Sequence, residues 1–186
     1  MLVIKPYNRE NAVAYARKYA FSQNSLFANF AGIGGNCTNF VSQAIYAGSC
    51  EMNYKPTFGW YFISLDERSP SWTGVEYFYN FMIENTDVGP FGRVAAADEV
   101  EIGDVIQLAR NEEGYYHSLL VVGFDGEDIL VAAQTDNVAI TRKLKFNILR
   151  IFLSSIFWDS PIKYPNDIKP RNIAIIILVI TALDPT

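Results

Sequence analysis

Two short stretches carry residue types suited to nucleophilic attack on a carbonyl group. The first is Gly34-Gly35-Asn36-Cys37-Thr38-Asn39-Phe40-Val41-Ser42-Gln43. Two glycines take backbone angles closed to other residues, so the chain can turn sharply and leave the next side chain at the mouth of a cleft. Asn36 is a natural N-cap, its side-chain oxygen placed to accept from the N–H of Thr38 or Asn39. Cys37 then stands at the positive end of a helix dipole, which favours the thiolate, the form that attacks carbonyls. Its own backbone N–H is placed to stabilise an oxyanion. Phe40, Val41, Ala44, Ile45 and Ala47 give the helix an apolar side, and Gly48 is placed to end it. Most free cysteines are small buried hydrophobes. The glycine pair, the cap and the polar Thr-Asn that follows weigh against that reading here.

A cysteine nucleophile needs a base, and His117 is the single histidine of the chain. It lies in the run Tyr115-Tyr116-His117-Ser118-Leu119-Leu120-Val121-Val122-Gly123-Phe124, which reads as a strand with an apolar interior ended by the turn signal Asp125-Gly126-Glu127-Asp128. A second strand, from Ile129 to Ala133, would complete a hairpin. If Gly126 and Glu127 are the turn residues, His117 falls opposite Asp136; if the turn shifts back by one, it falls opposite Gln134. Both would share the face of His117, whereas Thr135 points away. The oxygen of either side chain can accept the ring N–H and hold the imidazole in its useful tautomer, and Gln134 is preferred of the two.

These residues resemble the bacterial putative amidase domain, related to the NlpC/P60 and CHAP groups of papain-like cysteine hydrolases. The likeness runs through Tyr7-Asn8-Arg9, Ala12, Tyr15 and Ala16, the cysteine motif, Ser71-Trp72, Gly103-Asp104-Val105-Ile106-Gln107-Leu108, His117-Ser118 and Thr135-Asp136. It implies a Cys/His hydrolase whose third member follows the histidine strand. The implied fold is α+β and papain-like, with N-terminal helices packed on an antiparallel sheet and the nucleophile at a helix N-terminus. The implied substrate is a peptide or cell-wall-derived amide, peptidoglycan stem peptides being that of the related groups. A catalytically inactive binding module and an acyltransferase using the same Cys/His pair are the alternatives. Two positions depart from the family pattern: Asn36 stands in place of aspartate, and Gln134 in place of histidine. The first removes a negative charge beside Cys37 and should ease thiolate formation. The second leaves a group that can position His117 but cannot relay a proton.

Elements able to position this pair are legible around it. Residues 8 to 20 read as an amphipathic helix capped by Asn8, with Ala12, Ala16, Tyr19 and Ala20 recurring at helical spacing. Arg9 reads as a solvated first-turn charge, and Phe27 and Phe30 as packing on the cysteine helix. The ring-rich stretch from Tyr54 to Trp72 either walls a cleft or closes the core. Thr73-Gly74-Val75-Glu76 has the spacing of a capping box opening a helix through Ile83, with Tyr77, Phe78, Phe81 and Met82 in the core. Gly103-Asp104 reads as a tight turn into the strand Val105 to Leu108, which should pair with the histidine strand.

Length and composition bound the rest. The chain has 186 residues, half of them hydrophobic, enough for one domain with a real core. We expect the amidase-like domain over residues 1–150 and a C-terminal extension over 151–186 packed on it. A net charge of -5 and the lack of any basic run argue against a nucleic-acid partner. No signal-peptide pattern opens the chain, so a cytoplasmic location is expected, or secretion if a signal has been removed. A helix from Cys37 to Gly48 would hold its ends roughly 16 Å apart, too far for a bridge between Cys37 and Cys50. Two unbridged cysteines fit a reducing compartment, and no Cys/His set has zinc-ligand spacing, so neither metal nor cofactor is expected. Phe146 to Phe152 reads as a strand. The apolar run Ile173 to Leu183 is well short of the ~20 residues of a membrane helix, and its isoleucines favour a further strand, buried or in an oligomer contact.

Overall fold

The computed structural model describes residues 2–110, 114–126, 128–135, 138–144 and 173–185. Asp136 and the expected strand Phe146 to Phe152 lie outside the described residues. The architecture is α+β. After a short strand β1 (Leu2–Lys5) come two helices, α1 (Arg9–Tyr19) and α2 (Cys37–Ser49). The Asn8 side chain caps α1 by accepting from the Asn11 N–H, and Ala12, Val13 and Ala16 turn inward, as the helical spacing requires.

Two helix boundaries differ from expectation. Gly48 does not end α2, which runs on to Ser49 and stops at Cys50, in the left-handed region at φ 59°. Gly48 serves close approach instead: a Cβ built there would overlap the Tyr7 ring and lie 2.7 Å from the Asn8 carbonyl oxygen. Thr73 forms no capping box either. Pro70 starts a short helix α3 (Pro70–Thr73) that consumes the threonine, and Gly74 becomes the N-cap of α4 (Val75–Glu84) with no side-chain hydrogen bond. Phe78, Phe81 and Met82 are buried, but Tyr77 is 63% exposed, on the far side of a helix only ten residues long.

Among the described residues seven strands form one antiparallel sheet: β1, then β2 (Gly89–Ala95), β3 (Val105–Arg110), β4 (Gly114–Asp125), β5 (Asp128–Thr135), β6 (Val138–Leu144) and β7 (Ile173–Pro185). The spatial order is β1-β7-β3-β4-β5-β6, with β2 also paired to β7. The pairing of β3 with β4 follows the expectation, Val105 lying opposite Leu120 and Gln107 opposite Ser118. Alternation then splits the strands between two cores. Val105, Leu120 and Val122 join Phe40, Val41, Ile45 and Phe78 under the helices. Ile106, Leu119, Val121, Ile129 and Val131 pack on the opposite face. No helix among the described residues is long and apolar enough to cross a membrane.

The ring-rich stretch before α3 mainly closes the helix-side core. Trp60 and Trp72 are fully buried with centroids 4.7 Å apart, flanked by Phe62 and Phe27. Their indole N–H groups reach α2: Trp72 donates to Asn39 Oδ1 at 2.9 Å and Trp60 to Ser42 Oγ at 3.1 Å. Aromatic groups of this size, buried with their N–H satisfied, each hold about 3–5 kcal/mol against truncation to alanine.

Candidate active site

Gly34 and Gly35, at φ 113° and 93°, adopt conformations that favour glycine, and a side chain at either would meet open space. The turn delivers Cys37 as the first residue of α2, 8% exposed. Asn36 occupies the N-cap position but does not cap. Its Oδ1 accepts instead from the Phe30 N–H at 3.0 Å and from Asn39 Nδ2 at 2.7 Å. With the side chain turned into the protein, the backbone N–H groups of Cys37, Thr38 and Asn39 have no acceptor among the described residues. A free set of N–H groups at the positive end of a helix is suited to a developing oxyanion.

His117 lies opposite Leu108 on β4, half-buried, where the register slips between Leu108 and Ala109. The bulge breaks the alternation, and the ring of Tyr116 stacks on that of His117 at 6.4 Å. Burial pushes the imidazole down to about 4. No hydrogen bond joins its ring to Cys37 or to any other described residue. The link between the two stretches is one residue further along each. Thr38 Oγ1 and Ser118 Oγ are 3.0 Å apart, and Thr38 Oγ1 is also 3.8 Å from Cys37 Sγ. Ser118 in turn accepts from Gln107 Nε2 at 3.2 Å.

The simple hairpin count does not survive. Asp125 does pair with Asp128, but a second bulge, between Val121 and Gly123, shifts the ladder so that Leu120 faces Ala132. Counted on from that pair, His117 comes into line with Thr135 and Ser118 with Gln134, which is neither of the two expected registers. The amide of Gln134 is fully engaged. Its Oε1 accepts from Asn36 Nδ2 at 2.5 Å, and its Nε2 donates to the carbonyls of Tyr19 at 2.5 Å and Ser22 at 3.0 Å. Gln134 therefore ties β5 to the loop before Cys37 and to the end of α1, and none of these bonds goes to His117.

Arg9 also departs from its solvated reading. Its Nη1 donates to Asp104 Oδ1 at 2.6 Å and to the Ile102 carbonyl at 2.9 Å, and Nη2 lies 3.2 Å from Glu101. It anchors α1 to the turn before β3. Sequence reasoning also missed Thr38, Ser118 and Gln107, which are fully buried. A signal was present: Gln107 is a polar residue inside the otherwise apolar strand Val105-Ile106-Gln107-Leu108. Among the described residues no three His, Cys, Asp or Glu side chains gather into a metal site.

The chain resembles a Bacillus subtilis (strain 168) protein named uncharacterized protein YhbB, with 37% identity over 134 residues. That alignment covers 69% of this chain but only 42% of the relative. No solved structure matches the chain. Residues 6–153, a span that contains Cys37, His117, Gln134 and every helix among the described residues, match the family described as putative amidase domain. The protein belongs to that family, whose description is that of a hydrolase acting on amide C–N bonds.

Proposed function

We propose that this protein hydrolyses amides through a thioacyl intermediate, with Cys37 as nucleophile and His117 as the proton-transfer group, in a papain-like arrangement. The observation that carries the reading is the 3.0 Å contact between Thr38 and Ser118, each the residue after a candidate. It pins the start of α2 to β4, so that the only histidine and a cysteine at a helix N-terminus belong to one structural unit. Cys37 passes its thiol proton to His117 as Sγ attacks the carbonyl carbon, and the free N–H groups of the first turn receive the oxyanion. His117 gives a proton to the leaving amine; the neutral imidazole then takes one from the water that releases the acid. With Gln134 committed to Asn36, we assign Gln134 to positioning the nucleophile loop. A peptide amide, with cell-wall stem peptides as the class, is the proposed substrate on the strength of the sequence resemblance.

The test is turnover of a panel of synthetic peptide amides, stem-peptide fragments included, followed by mass spectrometry of the protein. Wild type should release amine and, when quenched early, carry an acyl mass on the peptide that contains Cys37. Cys37→Ala and His117→Ala should each lose roughly 10³-fold or more in kcat/KM. Undiminished turnover by Cys37→Ala would remove the cysteine from the mechanism.

A further inference from the structure

We propose that Gln107, Ser118 and Thr38 form a hydrogen-bond chain of fixed direction whose last donor points at Cys37 Sγ, making Thr38 a positioning residue for the sulfur. The direction follows from donor and acceptor chemistry. Gln107 Nε2 lies 2.9 Å from the Val75 carbonyl oxygen, which can only accept, so the nitrogen of the amide must face it. The second hydrogen of the same Nε2 is directed at Ser118 Oγ, 3.2 Å away. Ser118 Oγ accepts on that side, and because the hydroxyl is fully buried its own hydrogen needs an acceptor, for which Thr38 Oγ1 at 3.0 Å is the one within reach among the described residues. Thr38 Oγ1, already accepting, has its hydrogen left for the sulfur at 3.8 Å.

Burial makes this order matter. Gln107, Ser118 and Thr38 are all fully buried, so no solvent competes for the hydroxyls, and each donation polarises the next. The arrangement even leaves Gln107 Oε1 without a partner among the described residues. Turning the amide over would satisfy that oxygen from Ser118 but would set two oxygens against each other at Val75. The chain thus delivers a donor, not an acceptor, to Cys37 Sγ, which favours the sulfur as an anion aimed along the Thr38 O–H bond. This rests on the reading of Cys37 as the nucleophile, yet its consequence can be measured without any amide substrate.

The experiment is the rate of iodoacetamide labelling of Cys37 at pH 7, by mass spectrometry, with exposed Cys50 in the same molecule as reference. Thr38→Val keeps the shape and removes the hydroxyl; Thr38→Ser keeps the hydroxyl and removes the methyl. We expect Thr38→Val to label roughly three- to tenfold more slowly, because a lost donor lowers the thiolate fraction while partly raising its reactivity. Thr38→Ser should stay near wild type. A methyl that merely packs predicts the reverse order, so any result in which the valine variant is no slower than the serine variant overturns the proposal. Should Thr38→Val fail to fold by circular dichroism, Ser118→Ala takes its place: slowed labelling supports the chain and a wild-type rate overturns it. If Cys37→Ala turns over amides while Thr38→Val labels slowly, the hydrolase mechanism falls and the chain stands. The opposite pattern removes only the chain.

Discussion

An imidazole pushed down to about 4 is neutral across the range in which a thiol must give up its proton, so His117 is available as an acceptor rather than a fixed cation. The same burial sets a pH dependence of stability. In the unfolded chain the ring titrates near its ordinary value of about 6.5, so between that value and about 4 the unfolded state binds the proton first. Stability is therefore whole above pH ~6.5 and falls as pH drops toward 4, by up to roughly 3 kcal/mol. Urea unfolding at pH 7 and pH 4.5 should show this loss in wild type, and a smaller one in His117→Gln, which has no proton to bind. An equal loss in both proteins would mean that the ring is not desolvated. Cys37 and His117 were legible as candidates because their chemistry is carried by the residue itself and by its immediate neighbours. The partners of Asn36, Gln134 and Arg9 were not, since Gln134 meets residues 98 and more positions away and Arg9 meets Asp104 across 95.

At the scale of elements, periodicity identified α1, α2, α4 and the strands β3, β4 and β5, because burial of one face imposes it. Register and helix ends escaped, and for a physical reason. A bulge adds one residue without changing the apolar pattern around it, so nothing in Leu119-Leu120-Val121-Val122-Gly123 separates a straight strand from the bulged one observed. Gly48 shows the same ambiguity, since a glycine near a helix end signals either a stop or a close contact. The two roles predict opposite responses to Gly48→Ala. As a helix residue at ordinary spacing, alanine would stabilise by about 1 kcal/mol. Against the Tyr7 ring and the Asn8 carbonyl, the new methyl group must displace β1-to-α1 backbone, and we expect a net loss of about 1–3 kcal/mol. Thermal unfolding monitored by circular dichroism decides it, and a raised melting temperature would contradict the close packing.

The whole molecule depends on ties between the helical layer and the sheet that are polar as well as apolar. Tyr7 donates to the Gly103 carbonyl, Arg17 donates to the Val122 carbonyl at the second bulge, and Arg9 holds Asp104. Gly103, at φ 95°, lets the turn pass close under the Arg9 side chain. The last pair is lopsided: the Asp104 side chain is wholly buried, whereas that of Arg9 is 27% exposed. Burial raises the Asp104 carboxyl above the usual aspartate range, against the lowering effects of the Glu101 N–H and Arg9. For a group whose folded pKa is raised, the contribution to stability is present at acid pH and lost as pH rises through that value. Removing one partner should then cost unequally. Arg9→Met strands a carboxylate that cannot reach water, at about 3–5 kcal/mol at pH 7, shrinking at pH 4.5 where the carboxyl takes up a proton. Asp104→Asn leaves an arginine that can turn to solvent and to Glu101, and the asparagine oxygen can still accept from the Glu101 N–H, so about 1–2 kcal/mol should be lost at either pH. Urea titrations of both variants at the two pH values test the order. Equal costs, or an Arg9→Met cost that does not shrink in acid, would mean that the buried carboxylate is held by the turn alone and that α1 is joined to the sheet through its apolar face.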